Sequence, residues 1–401
     1  MSNILFLATY PFTDPKHGGQ IRCAEIVKYL SSKGHKVYTL ILRSEEEYTN
    51  DDKHDFEFVF PVSSSLRLID GHNIPFMNDY SSGEFAYSIK DRIKESLLNY
   101  SIDAIHCEQP WLFKIALFLK HNLLTNSIKL IFGSQNIESD LKGKILDAAN
   151  VSSHDVELAV SKIRYLEEYA IQNADVILAV SEYDYNYFSN NLGSSGNKEL
   201  LLIPNGIDRN RFNNSDLSVL DNIPEKYFVF VASGHPPNMT GFGEIFKNSL
   251  AFLPIDFPIV VIGSVCYLFE SNTEYNNWKG INEHRLLKLG MLSTEQMNAV
   301  ILNSNGVVIP ITEGGGSNLK TAEALFSNCP VVATQKAFIG YEEFISSDGV
   351  SVVSSSDEFI DKMRELMNFN VKLRYQRQNL DLLTWDNIVS KYSDLLLGVP
   401  E

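Results

Sequence analysis

The chain has 401 residues, of which 44% are hydrophobic, and a formal net charge of −16. That length holds two α/β domains with a core each. The acidic excess is shared by both halves, which argues against broad nucleic-acid binding and against a basic membrane-docking face. No apolar run approaches the roughly 20 residues of a membrane span. The opening Met1-Ser2-Asn3 has no basic residue, and the apolar run after it stops at Thr9 before a Tyr10-Pro11 turn, which reads as a first buried strand rather than a signal peptide. Cys23, Cys107, Cys266 and Cys329 stand far apart with no C-x-x-C pair, so isolated thiols in or near the core are expected, not disulfides or zinc.

In chain order, Ile4–Thr9 reads as a strand and Gln20–Ser32 as a helix, entered through Gly18-Gly19 and ended by Gly34. Lys36–Leu42 is the next strand, completing a β-α-β unit. Further strands are expected at Phe56–Val62, Ala104–His106, Lys129–Phe132 and Val176–Val180, with a helix over Asp155–Asn173. Tyr183, Tyr185, Tyr187 and Phe188 offer rings that could stack on sugars, but their position after Val180-Ser181 favours ordinary helix packing. Pro204-Asn205-Gly206 is turn chemistry and marks the domain joint. Beyond it, Tyr227–Ala232, Pro258–Ile262, Leu286–Leu289, Gly306–Ile309 and Val331–Ala333 are short apolar runs of the kind buried on both faces of a parallel sheet. Thr384-Trp385-Asp386 opens a terminal helix running through Leu397. The alternation, met twice, predicts two doubly wound domains.

Val307 to Leu325 is the richest stretch. A buried strand runs into Gly314-Gly315-Gly316, which opens a helix. Glycines let backbone N–H groups approach a ligand, and a helix N-terminus favours an anion. Lys320 adds a full positive charge one turn in. Glu323 suits ribose hydroxyls, as acidic residues do in nucleotide sites. A plain strand–helix turn with both charges solvated is the competing reading. There is no G-x-x-x-x-G-K-[ST], and no G-x-G-x-x-G follows the first strand, which excludes a P-loop and weakens a dehydrogenase. His106 ends a strand, where α/β ligand sites gather, and a structural histidine is the alternative. Asn136 and Glu138 follow the next strand as candidates for an acceptor side, with Glu138 also suited to a helix start.

These motifs, taken together, resemble the retaining GT-B enzymes of glycosyltransferase family 4. Gly18-Gly19 with Gly34-His35-Lys36-Val37 resembles the family's opening; Ile203-Pro204-Asn205-Gly206-Ile207-Asp208 with Phe212 resembles its hinge element. Ser233-Gly234-His235-Pro236-Pro237-Asn238, then Gly316–Leu325 with Pro330–Thr334, and finally Trp385 continue the pattern in order.

The resemblance implies a GT-B fold: two Rossmann-like domains facing across a cleft, spanning 1–203 and 204–383, with helix 384–401 returning to the first. It implies transfer of a sugar from a UDP-, GDP- or dTDP-linked donor to a hydroxyl acceptor on a glycan or lipid-linked carrier, with retention and domain closure near Asn205-Gly206. Glu323 would hold the ribose; Gly316, Ser317, Asn318 and Lys320 would surround the diphosphate and sugar. Ser233 and Gly234 would face the diphosphate, Gly290 the base, and Gly19 the β-phosphate. His106 would touch the donor sugar. No essential metal is expected, because no D-x-D ends a strand and Asp51-Asp52 reads as a polar loop. A cytoplasmic enzyme with peripheral membrane contact at most follows, and no nucleic-acid partner.

Two departures stand out. The family's paired glutamates lie closer together than Glu313 and Glu323, and Gly315 occupies the expected first position, so Glu313 either reaches the donor sugar through a longer loop or is not the equivalent residue. The basic residues common after the strand that ends here at Ala232 are missing, leaving Lys320 with His235, Arg22 or Arg209 to neutralise the leaving group. A catalytically idle GT-B domain binding a carbohydrate or protein, or an epimerase or hydrolase on the same fold, are the rival readings.

Overall fold

A computed structural model describes residues 1–48, 53–123, 127–192 and 198–398. The Asp51-Asp52 loop lies outside them. The chain divides into two compact units, Met1–Pro204 with Ile388–Glu401, and Asn205–Asn387.

The first unit is built on seven strands: β1 (Asn3–Ala8), β2 (Lys36–Ser44), β3 (Phe56–Phe60), β4 (Ala104–Glu108), β5 (Lys129–Gly133), β6 (Val176–Ala179) and β7 (Glu199–Leu202). Their order in the sheet is β3-β2-β1-β4-β5-β6-β7, with every pairing parallel. The Gly18–Ser32 helix connects β1 to β2, and Ser153–Asn173 precedes β6. Among the tyrosines after β6, Tyr183 is 65% exposed, whereas Phe188 is fully buried and anchors the Glu182–Asn191 helix.

The second unit carries β8 (Phe228–Val231), β9 (Ile259–Ile262), β10 (Leu286–Gly290), β11 (Gly306–Ile309), β12 (Val331–Thr334) and β13 (Val350–Val353). Their order is β10-β9-β8-β11-β12-β13, again all parallel. The reason for its continuous apolar runs is visible in the core. Phe228, Phe230, Ile259, Val261, Val308 and Val332 pack on one face. Val229, Val260, Ile262, Val307, Ile309 and Val331 pack on the other. Successive side chains point to opposite faces, so a strand covered on both sides must be apolar throughout. Each such side chain contributes about 1.5–3 kcal/mol when fully buried. An Asp at Val260 would strand a charge in that interior.

β7 and β13 are the two strands that the apolar runs did not reveal. Both are edge strands of four residues, and most of their side chains are only partly buried. All four cysteines are buried and free. No helix among the described residues is long and apolar enough to cross a membrane.

Two features of this topology place the sites. In each sheet the strand order reverses once, between β1 and β4 and between β8 and β11. Ligands of open α/β sheets bind beyond the carboxyl ends of the strands at such reversals. The ends of the second unit also meet each other: Ile207 donates to Leu383 O at 2.8 Å and Trp385 to Ile207 O at 3.1 Å.

Candidate active site

At the reversal of the second sheet, two loops rise from neighbouring strands. From β8 runs Ala232-Ser233-Gly234-His235, which enters the Pro236–Phe246 helix with prolines in its first turn. Proline suits that position because its fixed φ is helical and the missing N–H has no partner there anyway. From β11 runs Pro310 to Asn318, which enters the Leu319–Phe326 helix. Gly241 lets these two elements touch: a Cβ there would sit 2.1 Å from Pro310 O. Gly314 and Gly316 have φ of +117° and +65°, conformations that a side chain would strain.

Lys320 binds the two loops together. Its Nζ donates to Asn238 Oδ1 at 2.5 Å, and Asn238 Nδ2 donates to Ser233 O at 2.9 Å. Burial of the ammonium lowers its pKa to about 8, against the opposing pull of Glu323. The Thr312 hydroxyl at the root of the glycine loop is buried without a hydrogen-bond partner among the described residues. Ser233, Gly234 and His235 are exposed, as are Glu313 and Gly315; Gly316 and Ser317 are buried. Gly234 donates its N–H to Ser264 Oγ at 2.7 Å. Ser317 Oγ accepts the Asn205 N–H at 2.8 Å. Asn318 is the N-cap residue of the helix but makes no side-chain cap. Gly290, at φ +69°, ends β10 with open space over its Cα.

Glu323 is not a solvated charge. Its Oε1 accepts from Arg211 Nε at 3.0 Å, with side chains 11% and 22% exposed for Arg211 and Glu323 respectively. Arg211 was not anticipated. The cation sought for this site was placed on His235, Arg22 or Arg209, but Arg22 is committed in the first unit and Arg209 pairs with Asp381 at 2.8 Å. Asn238 was equally missed as a site residue, although it stands inside the quoted Pro-Pro-Asn motif.

The reversal of the first sheet is different in kind. His106 is fully buried, with Nδ1 2.9 Å from Tyr392 Oη and Nε2 2.8 Å from Glu108 Oε2. Arg22 Nε donates to Glu108 Oε1 at 2.9 Å, and its Nη1 reaches Ile203 O at 2.8 Å. Burial pushes the His106 imidazole below its ordinary value, although Glu108 opposes this. For Glu108, burial raises the pKa, but Arg22 and His106 outweigh it and the net shift is downward. Both ring nitrogens of His106 are thus bonded within the first unit. Gly133 leaves room for the pair, since a Cβ there would lie 2.2 Å from Glu108 Oε2. Gly19 has a similar internal reason: a Cβ would meet Gln135 Oε1 at 2.6 Å and Tyr10 Oη at 2.7 Å.

Beside this network, Glu138 starts its helix, as its position after β5 allowed. It is 2% exposed and accepts from Gln109 Nε2 at 3.0 Å. Its own N–H and that of Ser139 are taken by the Glu167 carboxylate. Burial raises both carboxyls to about 7. Asn136 O accepts from Ser134 Oγ at 2.8 Å. Among the described residues, His72, His154 and Asp155 are spaced as metal ligands, in the first unit beside the start of the Ser153–Asn173 helix.

Known structures agree with this architecture along the whole chain. A sucrose-phosphate synthase from Thermosynechococcus elongatus superposes with a TM-score of 0.74 at 14% identity, covering 100% of this chain and 99% of that one. The fold is that of the GT-B glycosyltransferases. Anabaena HepE in complex with UDP and glucose gives 0.62 at 16% identity, with 98% of this chain and 95% of that one covered. WaaG, a glycosyltransferase of lipopolysaccharide biosynthesis, gives 0.62 at 12% over the same shares. The sequence profile of Glycosyltransferase Family 4 matches residues 17–211. No curated protein matches the chain in sequence.

Proposed function

We propose that this GT-B chain is a glycosyltransferase that moves a sugar from a nucleoside diphosphate sugar to a hydroxyl acceptor, with retention, in glycan assembly. One observation carries the reading: at the reversal of the second sheet, a glycine loop with positive φ opens a helix bearing Lys320 and Glu323. A helix N-terminus and a desolvated ammonium select a diphosphate, and a carboxylate one turn later suits ribose hydroxyls. The UDP and glucose held by HepE support the donor class.

In the reaction, the bond from the anomeric carbon to the phosphate oxygen breaks and a bond to the acceptor oxygen forms. The acceptor proton passes to the departing diphosphate. Backbone amides of the glycine loop and Lys320 stabilise the charge that develops there. Retention rests on the family resemblance. No protein nucleophile is required. Glu313, exposed in the loop, is free to reach the sugar and has no hydrogen-bond partner among the described residues.

Thermal protection by UDP, GDP and dTDP tests the reading directly, followed by a donor screen for released nucleotide. Binding of at least one nucleoside diphosphate is expected, with Lys320→Ala weakening it and slowing transfer about a hundredfold. If none of the three protects the protein, or if Lys320→Ala and Glu323→Ala both bind like the wild type, the donor site is elsewhere.

A further inference from the structure

Glu323 cannot be understood without the segment that opens the second unit. Asn205 donates its N–H to Ser317 Oγ at 2.8 Å and its Nδ2 to Ser317 O at 2.8 Å. Six residues later, Arg211 reaches Glu323 Oε1. Residues 205 to 211 therefore grip the glycine loop at one end and its helix at the other.

The arginine is itself held. Its Nη1 donates to Asn298 Oδ1, while Asn298 Nδ2 donates to Arg211 O at 2.6 Å and to Asn214 O at 2.7 Å. Asn298 is 1% exposed on the Thr294–Leu302 helix. This closed ring of hydrogen bonds fixes the guanidinium plane, and a planar fork orients a carboxylate in a way that a lysine ammonium does not.

The arrangement answers an electrostatic problem. Glu323 stands one turn from Lys320, and an unrestrained carboxylate there would turn to the ammonium and cancel it. Arg211 occupies Oε1 instead, while Lys320 stays with Asn238. Oε2 has no partner among the described residues. Two cations and one carboxylate leave a net positive charge for a diphosphate, and the second carboxylate oxygen is left for a diol.

Resting on the nucleotide-sugar reading, we propose that Arg211, fixed by Asn298, is a positioning residue that presents Glu323 to the ribose hydroxyls and makes the site select ribonucleotides. The chemical class follows: a nucleoside diphosphate with both the 2′ and 3′ hydroxyls. The missing basic residue after β8 is thereby supplied from the linker side of the unit.

The test compares UDP and GDP with their 2′,3′-dideoxy counterparts by titration calorimetry, on wild type, Arg211→Gln, Arg211→Lys and Asn298→Ala. The tighter ribonucleotide is expected to bind the wild type about tenfold better than its dideoxy form, the worth of a hydrogen bond to a charged group. Arg211→Gln should shrink that ratio to under about twofold, chiefly by weakening the ribonucleotide. Arg211→Lys should restore only part, and Asn298→Ala, which keeps the arginine but frees it, should fall between. Melting without ligand separates these effects from misfolding, and Asn298→Ala carries the test if Arg211→Gln does not fold. Equal weakening of ribo and dideoxy forms would reduce Arg211 to a structural role and overturn the inference alone. Absence of any nucleoside diphosphate binding to the wild type would overturn the functional reading and this inference with it.

Discussion

The two sheets reverse their strand order in the same way, yet the residues beyond the two reversals differ in burial. Beyond β1 and β4, Arg22, Glu108, His106 and Tyr392 are all fully buried and joined by hydrogen bonds. Beyond β8 and β11, Ser233, Gly234, His235, Glu313 and Gly315 are exposed, and the Thr312 hydroxyl has no partner among the described residues. Topology alone therefore locates a crevice without saying whether it receives a ligand. The decision falls to the side chains: long charged groups on β4 and the Gly18–Ser32 helix fill one crevice, and glycines leave the other open.

The strongest way to break this contrast is to remove one member of the closed network. Arg22→Met leaves Glu108 buried without its cation, a loss of about 3–5 kcal/mol in urea unfolding. Arg22→Met with Glu108→Gln should recover part of it, since the neutral amide leaves no unpaired charge and keeps an oxygen for His106 and Gln135. A single variant as stable as the wild type would mean that the network is not a structural core. The next effect concerns Glu138, whose carboxyl rises from 4.5 to about 7 chiefly by burial. A raised acid pKa means that the folded state holds the proton more tightly. The penalty is absent below the unfolded value, grows from about pH 4.5 to 7, and is complete above. Glu138→Gln should thus stabilise the protein on the order of 2 kcal/mol at pH 8 and little at pH 5. Equal effects at both pH values would place the raised carboxyl elsewhere.

Much of the fold was legible because strands buried on both faces show as unbroken apolar runs; β11 was expected and found at Gly306–Ile309. β7 and β13 were not, since an edge strand needs only part of its surface covered. The glycine loop with Lys320 and Glu323 was legible because its chemistry is local. Arg211 was not, as 112 positions separate it from Glu323. His106 could be read as a strand-end residue, but its enclosure by Tyr392, 286 positions away, left no trace in the local pattern.

The smallest effect is also the most specific to the open crevice. Lys320 has a pKa of about 8 without ligand, because burial disfavours its charge. A diphosphate binds the cation and not the neutral amine, so affinity must fall as pH rises through about 8. Bound diphosphate raises the lysine pKa, and between the two values the fall approaches tenfold per pH unit. The diphosphate is ionised in that range, and the base, whose ring proton starts to leave toward the upper end, adds the same slope to every variant. Lys320→Arg removes the dependence, since a guanidinium keeps its charge. Titrations at several pH values from 7.5 to 9.5 distinguish the cases. A flat wild-type profile would show that the ammonium does not neutralise the diphosphate, leaving that work to the loop amides and to Arg211.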